Sequence, residues 1–202
     1  MGTSEILTMT AFVAALAVSS VSAQAQTQRL RGTIERVDGN TLFAKARDGA
    51  AITLKLADNA TVVAVHKATL ADIKEGDYIG SGAMPQADGS QKALEVHIFA
   101  ASMRGQGEGH RAWDGAPNST MTNGAVGNIV SSVDGPVVLV KYKDGEKKII
   151  VGPETPIVRY EAGSKDDIKG GAAFSVIAAA KQPDGTFTAA RINVGRDGGM
   201  PY

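Results

Sequence analysis

Cysteine is missing from all 202 residues. That excludes disulfides, cysteine-based zinc sites and thiol nucleophiles. An excess of either charge is missing too: 21 basic residues face 21 acidic ones, for a formal net charge of zero. So balanced a chain does not hold nucleic acid through bulk charge. Histidine and tryptophan are scarce, at three and one, so imidazole chemistry and aromatic platforms have few residues to draw on. What the chain does have is 24 glycines and a hydrophobic fraction of 43%. That fraction supports a folded core and is too high for wholesale disorder.

The longest apolar run, Ile6 to Val21, is shorter than the ~20 residues of a spanning helix. Small residues follow it at the spacing a signal peptidase reads, as Val21-Ser22-Ala23 or Ala23-Gln24-Ala25. This predicts a signal peptide over 1–25 and a periplasmic or secreted product that does not span the membrane. The pattern departs from the usual one in having Glu5, and no Lys or Arg, ahead of the run.

The remainder repeats. Val37-Asp38-Gly39 returns as Val133-Asp134-Gly135, and Lys45-Ala46-Arg47-Asp48-Gly49 as Lys141-Tyr142-Lys143-Asp144-Gly145. Asp88-Gly89 returns as Asp184-Gly185, and Ala93-Leu94-Glu95-Val96-His97-Ile98 as Ala189-Ala190-Arg191-Ile192-Asn193-Val194. Each pair is offset by 96 positions. Each unit reads as short alternating strands split by Asp-Gly turns, where glycine accepts the positive φ of a tight hairpin. The predicted strands are Leu30–Val37, Thr41–Arg47, Ala51–Ala57, Thr61–Val65, Tyr78–Met84 and Lys92–Phe99, with a helical turn at Thr69–Lys74. In the second unit they are Ala125–Val133, Val137–Lys143, Lys147–Val151, Ile157–Tyr160, Phe174–Lys181 and Thr186–Val194, with a turn near Lys165–Ile168. Short strands in so small a unit hide their edges best by curling into a barrel. The fold expected is therefore all-β, two tandem small barrels: 26–100 and 124–202, with a Gly-rich linker over 101–123.

The frame Gly32-Thr33-Ile34, Val37-Asp38-Gly39, Ala57-Asp58-Asn59-Ala60-Thr61, Leu70-Ala71-Asp72-Ile73-Lys74-Glu75-Gly76-Asp77 and Asp88-Gly89 resembles an exported bacterial family of domains of unknown function. The resemblance implies an OB-like β-barrel in each unit, closer in the first than in the second. The second unit has Pro153-Glu154-Thr155-Pro156 in place of an acidic-Thr turn. The shared residues are turn and core positions, so the resemblance implies a fold and no catalytic residue. Relatives sometimes carry an automatic name linking them to metal transporter permeases.

The linker has no counterpart in the repeat. It contains Trp113, His110 and the charged residues Arg104, Glu108, Arg111 and Asp114. A merely flexible linker has no need of tryptophan. One reading makes Trp113 a plug between the two units. The other makes His110, Arg111, Trp113 and Asp114 a ligand or partner patch at the junction. His97, Met103 and His110 form a candidate copper-type metal set, although their spacing matches no compact ligand motif. Alternation with Val96 and Ile98 turns His97 off the core face. Ser119, His110 and Asp114 contain triad residue types, but a glycine-rich segment is poorly suited to hold them rigidly.

Nucleic acid is disfavoured in each half separately, with nine basic and nine acidic residues over 30–105 and ten and nine over 124–198. We therefore expect an exported non-enzymatic binding or adaptor protein of the cell envelope, with no cofactor. Its partner would be an envelope protein or a small ligand. The alternatives are a periplasmic metal-handling accessory protein and an enzyme acting on envelope glycans.

Overall fold

A computed structural model describes residues 27–133 and 135–201. The signal peptide expected over 1–25 lies outside them. Among the described residues no helix is long and apolar enough to cross a membrane. The described residues are all-β, and their twelve strands join one hydrogen-bonded network.

The first half supplies β1 (Thr27–Asp38), β2 (Thr41–Ala46), β3 (Ala51–Ala68), β4 (Tyr78–Pro85) and β5 (Gln91–Ile98). After it come β6 (Gly109–Ala112) and β7 (Thr120–Val130), then β8 (Val137–Tyr142) and β9 (Gly145–Ile150). The last three are β10 (Ile157–Ala162), β11 (Ala173–Lys181) and β12 (Phe187–Gly195). The two predicted helical turns are single 3-10 turns, Leu70–Asp72 and Lys165–Asp167. Each is closed by the same device: Asp72 and Asp167 accept the backbone N–H of Thr69 and Ser164, at 2.8 and 2.7 Å.

Five strands close into a mixed barrel in the order β12-β11-β1-β2-β3, sealed by a parallel β12–β3 pairing. Its interior holds Ile34, Leu42, Leu54, Phe174, Ile192 and Val194, all with at most 1% exposure. The alternation Leu30, Ile34 on β1 and Phe187, Ala189 on β12 turns the other face of those strands outward. Seven further strands complete the network. β10 bridges β3 to β5, and β5-β4-β7-β8-β9 follow, with β9 returning to β5 at Gln91↔Ile149 and Lys92↔Ile150. A second apolar cluster, with Ile79, Val96, Ile98, Val138, Val140 and Ile149, fills this part.

Tandem barrels, each closed within its own repeat, are not what the pairing shows. The closed barrel takes β1 to β3 from the first repeat and β11 and β12 from the second. β1 pairs with β11, and β4 with β7, so strand pairing crosses between 26–100 and 124–202. The linker is also more ordered than a flexible connector. It carries a 3-10 turn at Ala101–Met103 and then β6, which pairs with β7 along its whole length. The predicted strands at 51–57 and 61–65 are one continuous strand, β3, long enough to serve both the barrel and the bridge to β10.

Candidate functional site

The outer face of the barrel and the outer face of β5 enclose a cleft of about 390 Å³. Its barrel side presents Arg29 of β1, Ile177 of β11 and Arg191 of β12. The opposite side presents Glu95 and His97 of β5, Asn123 of β7 and Tyr160 of β10. The segment 106–114 forms the rim, contributing Gln106, Arg111, Trp113 and Asp114. A larger recess of about 720 Å³ opens near Lys67–Leu70 and the 151–158 loop. None of the buried polar atoms left without a partner lines it.

The periodicity of β5 explains its contribution. Val96 and Ile98 enter the second apolar cluster, so Glu95 and His97 project to the opposite face. That face is covered: Glu95 is 3% exposed and His97 6%. His97 lies flat on the Tyr160 ring, with centroids 5.1 Å apart and planes within 5°. Phe99 stands edge-on to both rings. On its far side the imidazole packs onto the backbone at Gly80, where any side chain would overlap Nε2. His97 is thus clamped, and burial lowers its pKa from 6.5 to about 4. Burial acts oppositely on Glu95, pushing its carboxyl up to about 7 against the pull of Arg31, Arg29 and Arg47. The two side chains are 3.8 Å apart at Nδ1 and Oε1. That exceeds hydrogen-bonding distance, and His97 is neutral at pH 7, so the pair is not a salt bridge.

Among the described residues, several buried polar atoms in and behind the cleft have no hydrogen-bond partner: His97 Nδ1, Asn123 Oδ1, the Nε atoms of Arg29, Arg31 and Arg191, and one terminal nitrogen of Arg31. Buried polar groups are seldom left unpaired, and here they gather around one opening. The contacts that do exist hold the rim in place. Gln106 accepts from Arg191 at its side chain (3.0 Å) and from Asn123 at its carbonyl (3.0 Å). Arg111 donates to the Gly107 carbonyl at 2.7 Å, and Arg29 pairs with Asp114 at 3.0 Å.

Of the expected patch, Arg111, Trp113 and Asp114 line the cleft and His110 does not. Trp113 is half-buried, its ring packed against Gly82 and Gly115 so closely that a Cβ at either would overlap it. His110 is half-buried on β6, its Nδ1 2.8 Å from Thr122 Oγ1, and burial followed by Lys147 lowers its pKa. The candidate metal residues are placed as follows. His97 is in the cleft, His110 is against Thr122, and Met103 is buried with Val63, Val65, Val158 and Tyr160. Among the described residues no group of three His, Cys, Asp or Glu stands close enough to share an ion. The Ser119, His110, Asp114 combination does not form a relay: Ser119 Oγ donates to the Ala116 carbonyl at 2.5 Å, and Asp114 pairs with Arg29.

Sequence reasoning missed Glu95, Arg29, Arg31, Arg191, Asn123 and Tyr160 as site residues. One signal was available. Glu95 and Arg191 occupy equivalent positions of the repeat, each a charge set between apolar strand residues. Compared with family models, curated proteins and solved structures, the chain matches none, so its reading rests on its own geometry.

Proposed function

We propose that this chain is an exported, non-enzymatic binding module of the cell envelope, and that the Glu95–His97–Arg191 cleft is the seat of a small ligand. We propose further that the chain derives from two copies of an OB-like unit that exchange strands, the cleft forming where their outer faces meet. The observation that carries the binding reading is the convergence of buried, unpartnered polar atoms from β1, β5, β7 and β12 on one opening. Pockets with a largely apolar wall and a few fixed polar groups are the usual form of small-molecule sites. The catalytic combination of Ser119, His110 and Asp114 is not held as a relay.

Trp113 gives the test a built-in reporter, being the chain's single tryptophan and part of the cleft rim. The full chain is screened by thermal shift against small polar metabolites, and each hit is titrated by tryptophan emission. A ligand at about 100 times its Kd stabilises by roughly 2.7 kcal/mol. Hits are expected to change Trp113 emission and to weaken in a folded His97→Leu variant. Stabilising compounds that leave emission and His97→Leu affinity unaltered would place the seat elsewhere.

A further inference from the structure

We propose that the cleft receives the oxyanion group of a small organic acid, held by the guanidinium groups of Arg191 and Arg111, with the acid's apolar body against Ile177 and Met121. This rests on the cleft being a ligand seat. It adds the ligand's chemical class.

The charges around the cleft do not balance. Arg29, Arg111 and Arg191 line it, and Arg31 lines a neighbouring recess that shares Arg29 and Asp114 with it. Of the acids, Asp114 is already paired with Arg29. Among the described residues no carboxylate comes within ion-pair distance of Arg31, Arg111 or Arg191. Arg191 donates instead to a neutral amide, and Arg111 to a backbone carbonyl. Arg31 and Arg191 are half-buried and keep buried N–H groups with no acceptor. Holding guanidinium groups out of water without a counter-charge is costly. An incoming carboxylate or phosphate supplies both the charge and the acceptors, in the two-pronged geometry that arginine favours.

Size and wall composition narrow the ligand. A volume near 390 Å³ is at the small end of the roughly 300–1,000 Å³ of ligand pockets. Ile177 is 56% exposed at the wall, and Met121, though only 6% exposed, also lines the cleft. Both offer apolar surface to a short carbon body.

Glu95 makes the binding pH-dependent. The charged and titratable groups around it are Arg29 and Arg31 of β1, Arg47 after β2, Arg111 of β6, Asp114 at the rim, Arg191 of β12, His97 on its own strand and Tyr160 of β10. When Glu95 is ionised it offsets these arginines and competes with an incoming anion. When it is protonated the arginines are left to the ligand. Affinity for an anion is therefore higher below pH 7 and falls as pH rises through that value, and binding draws a proton onto Glu95.

The test titrates the full chain with benzoate, phenyl phosphate and neutral benzamide, read by calorimetry and Trp113 emission. Benzoate or phenyl phosphate is expected to saturate one site, and the stronger of the two identifies carboxylate or phosphate as the natural group. Benzamide should bind at least about tenfold more weakly, as expected when buried charged donors lose their acceptor. Arg191→Gln and Arg111→Gln should each cost about tenfold in affinity while circular dichroism stays unchanged. If Arg191→Gln does not fold, exposed Arg111→Gln carries the comparison alone. Calorimetry near pH 7 in two buffers of different ionisation heat should show proton uptake, which Glu95→Gln abolishes. Equal affinity for benzamide and benzoate, or unchanged affinity in folded Arg191→Gln, overturns the oxyanion assignment and leaves the cleft as a ligand seat. Failure of all three probes overturns it as well. Failure of the wider screen to find any ligand at Trp113 removes the seat itself.

Discussion

Replacing Glu95 by Gln should expose a pH dependence that the native chain conceals. In the folded state the Glu95 carboxyl titrates near 7, against 4.5 ordinarily. Between those values the folded chain keeps a proton that the unfolded chain has released, so folding stability falls as pH rises from 4.5 to 7. Over the whole window the loss is about 3 kcal/mol. His97 acts with the opposite sign. Its folded value is near 4 against 6.5, so below 6.5 the unfolded chain gains a proton that the folded chain refuses. Stability then falls as pH drops, again by about 3 kcal/mol in all. The two windows overlap from 4.5 to 6.5, and there the slopes cancel. Urea unfolding midpoints measured from about pH 4.5 to 8 should thus vary little in the native chain on account of this pair. Glu95→Gln leaves only the histidine term, so its stability should climb with pH up to 6.5 and exceed the native chain's by about 3 kcal/mol above pH 7. His97→Gln leaves only the glutamate term, and its stability should fall from 4.5 to 7. Parallel profiles for the native chain and both variants would refute the claim that burial sets these two protonation states.

Phe174→Ala empties a fully buried position of the closed barrel and should cost about 3–5 kcal/mol by urea unfolding. Gly82→Val puts a branched side chain where the Trp113 ring lies. It should cost about 1–3 kcal/mol and shift tryptophan emission to the red as the ring is expelled. Asp167→Ala removes the acceptor that caps the Lys165–Asp167 turn and the partner of Arg196. A loss of about 1–2 kcal/mol is expected, present at neutral pH and vanishing under acid conditions where the native carboxyl is also protonated.

Strand positions were legible because they depend on short-range pattern. β2, β4, β8 and β11 lie within a residue or two of the alternating runs that predict them. The partners of those strands were not legible, because the hydrophobic pattern says which face is buried and not which strand lies beside it. β11 satisfies β1 as well as a strand of β1's own repeat would. The repeat itself misled locally. Val37 sits opposite Leu42, while Ile129, not Val133, sits opposite Val138. The β7–β8 connection is four residues longer than the β1–β2 turn, and Val133 is fully exposed in it. A shared Val-Asp-Gly is cheap to regain in a turn-forming stretch; a strand register is not. Within the site, Arg111, Trp113 and Asp114 could be singled out because they stand in an unrepeated segment. Glu95, Arg31 and Arg191 were hidden by being charges in strands, where an exposed face is the ordinary reading.

The crossed pairing gives those hidden charges their consequence. Were each repeat to close on itself, β5 would be free to turn Glu95 and His97 to solvent, and both would titrate as surface groups. Instead β3 carries the barrel on one side and β10 on the other, and β10 binds β5 in parallel through Val96↔Ile157 to Ile98↔Arg159. That chain of ladders fixes β5 relative to β12, so Arg191 and Glu95 face one cleft although 96 positions separate them. The rim then closes the remaining side, since β6 is pinned to β7 and Gln106 reaches both Arg191 and Asn123. Backbone hydrogen bonds, not the polar groups' own attraction, therefore hold the cleft together. This is why Arg31 and Arg191 can stay half-buried without counter-ions: the cost is borne by a sheet that spans both halves, and the proposed anion would act on a site already formed.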